Sequence, residues 1–200
     1  MLELFNVYLS TAIKLFFVLT PFFVLSMFLA MTKDYSLEDQ KRTAVRVATA
    51  VYVVCMCLYF FGDLIFVTFG ITLDSFRIGA GALLFLSAVS LVNGSKKAIQ
   101  PDKDSDITVV PLAIPITVGP ASMGTLMVMG ATVNSGAERV VGSLALLTAV
   151  IGVGFVLYLS TTIEKILGNM GIAILTKLTG LILAALAAQI VFTGIKNFLM

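Results

Sequence analysis

Long apolar runs separated by short polar loops organise this chain. A crossing helix needs about twenty apolar residues, and residues 4–31, 47–71, 78–92, 106–129, 140–163 and 178–198 read as six spans. The first loop, residues 33–46, carries Lys33, Asp34, Glu38, Asp39, Lys41, Arg42 and Arg46. A short turn covers residues 72–77, and Glu164, Lys165 and Lys177 mark the loop before the last span. Ser36 with Asp39 three residues on is a helix-start signal, and Asn93-Gly94 is a helix stop. Residues 95–106, SKKAIQPDKDSD, are the most polar segment and read as a cytoplasmic linker. They separate two halves, residues 1–94 and 107–200, of one integral membrane domain.

The fourth run, DITVVPLAIPITVGPASMGTLMVM, holds Pro111, Pro115 and Pro120, with Gly119 and Gly124 beside the last. Each proline removes a backbone donor and pushes its ring at the carbonyl four residues earlier, so no unbroken α-helix runs through all three. Broken backbone at membrane depth survives only where it is buried in protein or lines a wet cavity. An interrupted span is therefore a pointer to a midplane solute site in a transporter. The plainer alternative is a proline-kinked helix at an ordinary helix contact. The first run is broken in the same way at Thr20-Pro21.

The two breaks stand 99 residues apart, Pro21 against Pro120. The same spacing relates Gly81 to Gly180, Leu58-Tyr59 to Leu157-Tyr158, Ser26 to Thr125 and Ser90 to Gln189. Three spans per half is an odd number, so the second half enters the membrane from the opposite side. The expected fold is an all-α polytopic membrane protein with six transmembrane helices in two inverted three-helix repeats, the first and fourth helices broken. Lys33, Lys41, Arg42, Arg46, Lys96, Lys97, Lys103, Lys165 and Lys177 fall on one side; Arg77, Arg139 and Lys196, with Lys14 if interfacial, fall on the other. Cytoplasmic loops carry the excess of Lys and Arg, so both termini are expected on the outer face.

Composition adds exclusions. The chain is 59% hydrophobic and 12% charged, where a soluble domain is about a quarter charged, and its mean hydropathy is +1.06. A net charge of +2 spread over short loops gives no basic face for nucleic acid. With no histidine, histidine proton relays, haem ligation and nearly every zinc constellation drop out. The spans hold no carboxylate pair at catalytic spacing and no nucleophile–base arrangement, so neither enzymatic chemistry nor a cofactor is expected. Cys55 and Cys57, two apart on one helix, point to different sides; they read as small buried hydrophobes, not a disulfide.

Two charges fall inside apolar runs. Lys14 is either an intramembrane functional group or, more plainly, snorkels to the headgroups from residues 1–13 lying along the interface. Asp63 either binds a coupling cation or proton or sits at the far interface of an overlong span. The N-terminus lacks a basic flank and a cleavage site, so a removable signal peptide is not expected. Gly79, Gly81, Gly152 and Gly154 give small-residue faces for close helix approach; faces of this kind also permit a homodimer.

The candidate site is drawn from uncharged hydrogen-bonding groups and the breaks: Thr20, Pro21 and Ser26 from one half, Thr117, Gly119, Pro120, Ser122 and Thr125 from the other, with Ser90 and Gln189 behind them. Pro21 and Pro120 open matching half-helices whose first N–H groups suit a carboxylate. Carbonyls near Ala113, Thr117 and Val118 suit an ammonium group or a monovalent cation. A small zwitterion such as an amino acid fits both ends.

Three segments carry a resemblance: FGITLDSFRIGAGALLF over residues 69–85, VVPLAIPITVGPASMGTLM over 109–127 and LTKLTGLILAALAAQIVFTGI over 175–195. They resemble the MarC family of bacterial inner-membrane proteins, and the similarity covers nearly the whole chain. The resemblance implies transport of small neutral amino acids, alanine- and glycine-like, export being one direction. Na+ or H+ is the candidate coupling ion, and membrane lipid surrounds the chain. Pro115, Gly119, Pro120 and Ser122 match the family's second break, and Thr20 and Pro21 its first. Thr20 and Phe22 depart from it, since the family usually has Asn or Asp before that proline and Gly after it. A carboxamide or carboxylate partner is thus missing, and Phe22 restricts the backbone. On residues alone, a non-transporting membrane factor, an ion channel and, at greater distance, an intramembrane enzyme stay open.

Overall fold

The computed structural model of the chain describes residues 2–94, 108–133 and 135–199, so the expected linker, residues 95–106, lies outside the described residues. In order it has α1 (Leu2–Val18), α2 (Pro21–Met31), α3 (Leu37–Phe69), α4 (Leu73–Asn93), a π-helical segment (Thr108–Thr117), α5 (Pro120–Ala131), α6 (Gly136–Tyr158) and α7 (Ser160–Leu199). Leu37–Gly62, Leu73–Asn93, Gly136–Tyr158 and Ser160–Leu199 are each long and apolar enough to cross a bilayer. The bent pair Leu4–Val18 and Pro21–Met31, turned by 40°, brings the number to five. The sixth expected span is the π segment followed by α5, 10 and 12 residues long, and neither piece alone reaches the about twenty residues of a crossing helix.

The loops are shorter than the charges suggest. Ser36 caps α3, its hydroxyl accepting from the Asp39 N–H at 3.1 Å, so residues 37–46 are helical instead of looped. Residues 73–77 already belong to α4, and Gly94, at φ 68°, ends that helix where Asn93-Gly94 indicated. The loop expected over residues 164–177 reduces to a kink at Gly168 (φ 62°, ψ 174°), which falls in that range and separates two helical stretches within α7. Glu, Lys, Arg and Gln are good helix formers, so charge marks where a helix leaves hydrocarbon and not where it ends.

Two buried clusters hold the bundle. The larger joins α1, α2, α3, the π segment, α5 and α6 through Leu25, Phe28, Val47, Val51, Leu112, Leu126 and Leu146. The smaller lies between α4, α5 and α7: Leu84, Ala88, Leu91, Ala121, Leu183 and Ala187. Helices α4 and α7 run antiparallel at close range, and glycine permits the approach. A Cβ at Gly81 would stand 3.1 Å from the Ala187 carbonyl and 2.6 Å from a Val191 methyl. A Cβ at Gly180 would stand 3.0 Å from the Ala88 carbonyl and 2.9 Å from a Val92 methyl. These are one contact twice over, since Gly81 and Gly180, Ala88 and Ala187, and Val92 and Val191 are each 99 residues apart.

The N-terminal segment packs against α6. Tyr8 hydrogen-bonds Thr148 at 2.6 Å, and Gly152 receives the Phe16 ring, so α1 runs beside α6 in the same direction. Gly154 meets Ala48, as its reading as a packing notch requires, whereas Gly79 has nothing within 4 Å of its Cβ position. Cys55 is buried, but Cys57 is exposed and departs from its expected burial. Large apolar side chains line the outside, Phe61, Leu64, Val67, Phe155 and Phe192 among them, and such a belt is stable facing hydrocarbon.

Candidate functional site

Each break starts a new helix, at buried Pro21 and at exposed Pro120. At the first, α1 ends at Val18 and Pro21 opens α2, with Thr20 between them at φ 49°, ψ 54°. Thr20 is the one described non-glycine residue with positive φ. For a β-branched residue this is a genuine outlier, and such strain clusters at functional sites. The second break follows the π segment, in which Pro111 and Pro115 lie. The Val118 N–H donates to the Ala113 carbonyl at 2.9 Å, a five-residue reach, and the wider turn accommodates prolines that an α-helix rejects. Gly119, in extended geometry at ψ 176°, then caps α5, with Pro120 as its first residue.

The first four N–H groups of a helix have no partner within it, and proline lacks one from the start. The N–H groups of Phe22 and Phe23 in α2, and of Ala121 and Ser122 in α5, find no bond among the described residues; the first closed bonds are Val24 to Thr20 and Met123 to Gly119. One hydroxyl ties the two breaks together. Ser122 Oγ, buried, donates to the Val18 carbonyl at 3.0 Å, joining the start of α5 to the end of α1.

Between the two clusters lies a cavity of about 510 Å³, open on one side. It collects six of the ten expected residues, Thr20, Ser90, Thr117, Gly119, Pro120 and Ser122. Pro21 is buried behind it as the first residue of α2. Ser26 lines a second pocket of about 90 Å³ together with Ser90, Asn169, Thr176 and Lys177. Thr125 and Gln189 line a third of about 180 Å³, with Lys14, Arg77 and Thr193. The central cavity shares Phe23, Met27, Ser90 and Leu91 with the second pocket, and Val18 with the third.

Not every expected hydrogen-bonding group is free. Thr117 Oγ1 donates to the Leu112 carbonyl at 2.7 Å, and Thr125 Oγ1 to Ala121 at 3.0 Å. The Ala113 carbonyl is engaged in the π turn, and the Thr117 carbonyl accepts a long bond from Ser122 at 3.5 Å. These carbonyls are therefore not the freed acceptors that the proline spacing suggested. Unpartnered among the described residues are the side chains of Thr20, Ser90 and Asn93, all lining the central cavity. Asn93 had read only as a helix stop. Phe23, another lining residue that spacing alone missed, stands 99 residues before Ser122, so its register pointed to it. The side chains of Asp63 and Pro115 lie outside the described residues. No group of three or more metal-binding side chains occurs among the described residues.

The MarC family integral membrane protein profile matches residues 5–199. The chain belongs to the MarC family. It is 31% identical to a UPF0056 membrane protein of Aquifex aeolicus, over 96% of this chain and 94% of that one. It is 33% identical to UPF0056 membrane protein MJ1677 of Methanocaldococcus jannaschii, over 94% and 95%. A third relative, UPF0056 membrane protein YvbG of Bacillus subtilis, is 30% identical over 97% and 96%. No solved structure matches the chain. Like its family, this MarC protein is an integral, multi-pass membrane protein of α-helices.

Proposed function

We propose that this MarC protein is a secondary transporter of small neutral amino acids and that the central cavity is its substrate site. The observation that carries the reading is the meeting of two interrupted helices at one cavity, where the N–H groups of the lining residues Phe23, Ala121 and Ser122 have no partner among the described residues. Helix N-termini favour a carboxylate. The free Thr20 and Ser90 hydroxyls and the Asn93 carboxamide oxygen suit an ammonium group, and the Leu84 and Leu183 side chains leave room for a small apolar one. Among the described residues no charged side chain lines the cavity, which matches a solute of zero net charge. The coupling ion is Na+ or H+.

We read the halves as an inverted repeat. Residues 99 apart line the central cavity in pairs: Val18 with Thr117, Thr20 with Gly119, Phe23 with Ser122, and Leu84 with Leu183. The helix caps repeat as well, Ser36 to Asp39 in α3 and Ser135 to Glu138 in α6. The bias of Lys and Arg to one side argues for both termini on the outer face, and the family resemblance argues for the inner membrane.

The test is uptake by the reconstituted chain in proteoliposomes, with a panel of amino acids and with sodium and proton gradients imposed separately. Saturable, gradient-driven movement of alanine or glycine is expected, and Pro120→Ala with Gly119→Leu should abolish it at undiminished expression. If no amino acid moves under either gradient, the transport reading fails. Flux that rises linearly with concentration would instead indicate a channel.

A further inference from the structure

The two smaller pockets are counterparts. Ser26, Ser90, Leu91 and Thr176 line one; Thr125, Gln189, Ile190 and Arg77, each 99 residues away from its mate, line the other. They flank the central cavity and share lining residues with it. Both carry cations, Lys177 in one and Lys14 with Arg77 in the other, and among the described residues no acidic side chain lines either pocket. Lys14 and Lys177 have no ion-pair or hydrogen-bond partner among the described residues. Arg77 binds Asp74 through Nη1 alone, at 2.7 Å, which leaves the rest of its guanidinium unbonded.

We propose that the Lys14–Arg77 pocket is a capture site for the carboxylate of a small solute on its way to the central cavity. The proposal rests on the transport reading of that cavity. Snorkelling to lipid headgroups explains a lysine near the end of a span. Lys14 is exposed, but it falls within the bent pair Leu4–Val18 and Pro21–Met31, four residues before the end of α1 at Val18. There it shares a pocket with Arg77, Gln189, Thr125 and Thr193. An unpaired intramembrane cation of this kind marks a solute or ion pathway. Size agrees: the pocket, about 180 Å³ and open on one side, admits a small solute. Arg77 offers a fork and Lys14 a point charge to the carboxylate, while Gln189 supplies a donor.

The test uses the full chain in nonionic detergent, with Cys55 and Cys57 replaced by Ser and a reporter thiol introduced by Thr193→Cys. Propionate should slow alkylation of that thiol by a neutral maleimide, and propionamide, equal in size but uncharged, should not. Lys14→Gln should raise the half-protecting propionate concentration about tenfold, the loss of one charge-assisted hydrogen bond, and Lys14→Arg should restore it. Arg77→Lys, milder than a neutral replacement that would strand Asp74, should weaken protection by a smaller factor. Equal protection by propionate and propionamide overturns the proposal, as does a Lys14→Gln chain protected like the parent. Protection by added acidic phospholipid alone would make this a headgroup contact and overturn it too. Protection by propionate in a chain that moves no amino acid would uphold the capture site and sink the transport reading. Amino-acid transport without protection would do the reverse.

Discussion

Thr20 offers the sharpest test of the local physics, because its strain and its chemistry separate. At φ 49°, ψ 54° it occupies the left-handed region, immediately before a proline, with no side-chain cap to compensate. That region costs an L-residue about 1–2 kcal/mol. Thr20→Gly removes the cost but adds about 0.4–1 kcal/mol of unfolded-state entropy. Thr20→Ala keeps the strain and loses the hydroxyl. The glycine variant should therefore be the more stable of the two by about 0.5–1 kcal/mol, whereas at an ordinary helical site glycine loses to alanine by a similar amount. Stability would be read by far-UV circular dichroism during dodecyl sulfate titration in mixed micelles, since the chain contains no tryptophan. Substrate affinity should fall alike in both variants, about two- to twelvefold for one hydrogen bond of about 0.5–1.5 kcal/mol, and Thr20→Ser should retain it. An alanine variant as stable as the glycine one would refute the strain argument. Opposite affinity changes would refute the role of the hydroxyl.

Ser122→Ala removes the bond to the Val18 carbonyl and should destabilise the chain by about 1–3 kcal/mol, the cost of a buried acceptor left alone, in the same titration. Gly130→Ala drives a Cβ into the Tyr59 carbonyl and should cost about 1–3 kcal/mol. Gly79→Ala, at an open position in α4, should instead stabilise by up to about 1 kcal/mol, and equal effects at the two glycines would contradict the packing of α3 on α5. A membrane-permeant maleimide should label Cys57 in the folded chain and leave Cys55 unmodified until unfolding, as peptide mass mapping would reveal.

What the sequence made legible is what local chemistry determines. A missing proline donor breaks a helix in any surroundings, so both breaks were visible, as were the Ser36 cap and the Gly94 stop. The proline run excluded an α-helix without choosing its replacement, and the π turn depends on packing around Leu112 and Ala113, both fully buried. The geometry of Thr20 was hidden because propensity argues against it; buried Val18 and Leu19 hold the chain there. Cys57 was misread for a reason general to membranes. Lipid is as apolar as a protein core, so an apolar run carries no signal for which face looks inward. For the same reason Phe23, Leu84 and Leu183 did not stand out as cavity-lining residues, while the polar ones did.

The N–H groups of Phe22, Phe23, Ala121 and Ser122, without a partner among the described residues, also constrain the state of the cavity. Each such group left dry in hydrocarbon costs several kcal/mol, and four together would rival the about 5–15 kcal/mol by which a whole domain is stable. The fold therefore persists only if water or solute reaches Phe22, Phe23, Ala121 and Ser122. Hydration of the seam between the two clusters becomes a requirement of stability, independent of whether anything is transported. A thiol placed by Thr20→Cys, in a chain lacking Cys55 and Cys57, should accordingly react with a small hydrophilic methanethiosulfonate in detergent and be protected by a bound solute. An inert thiol there would mean that those donors are satisfied by protein, and the cavity would lose the physical basis for binding a carboxylate.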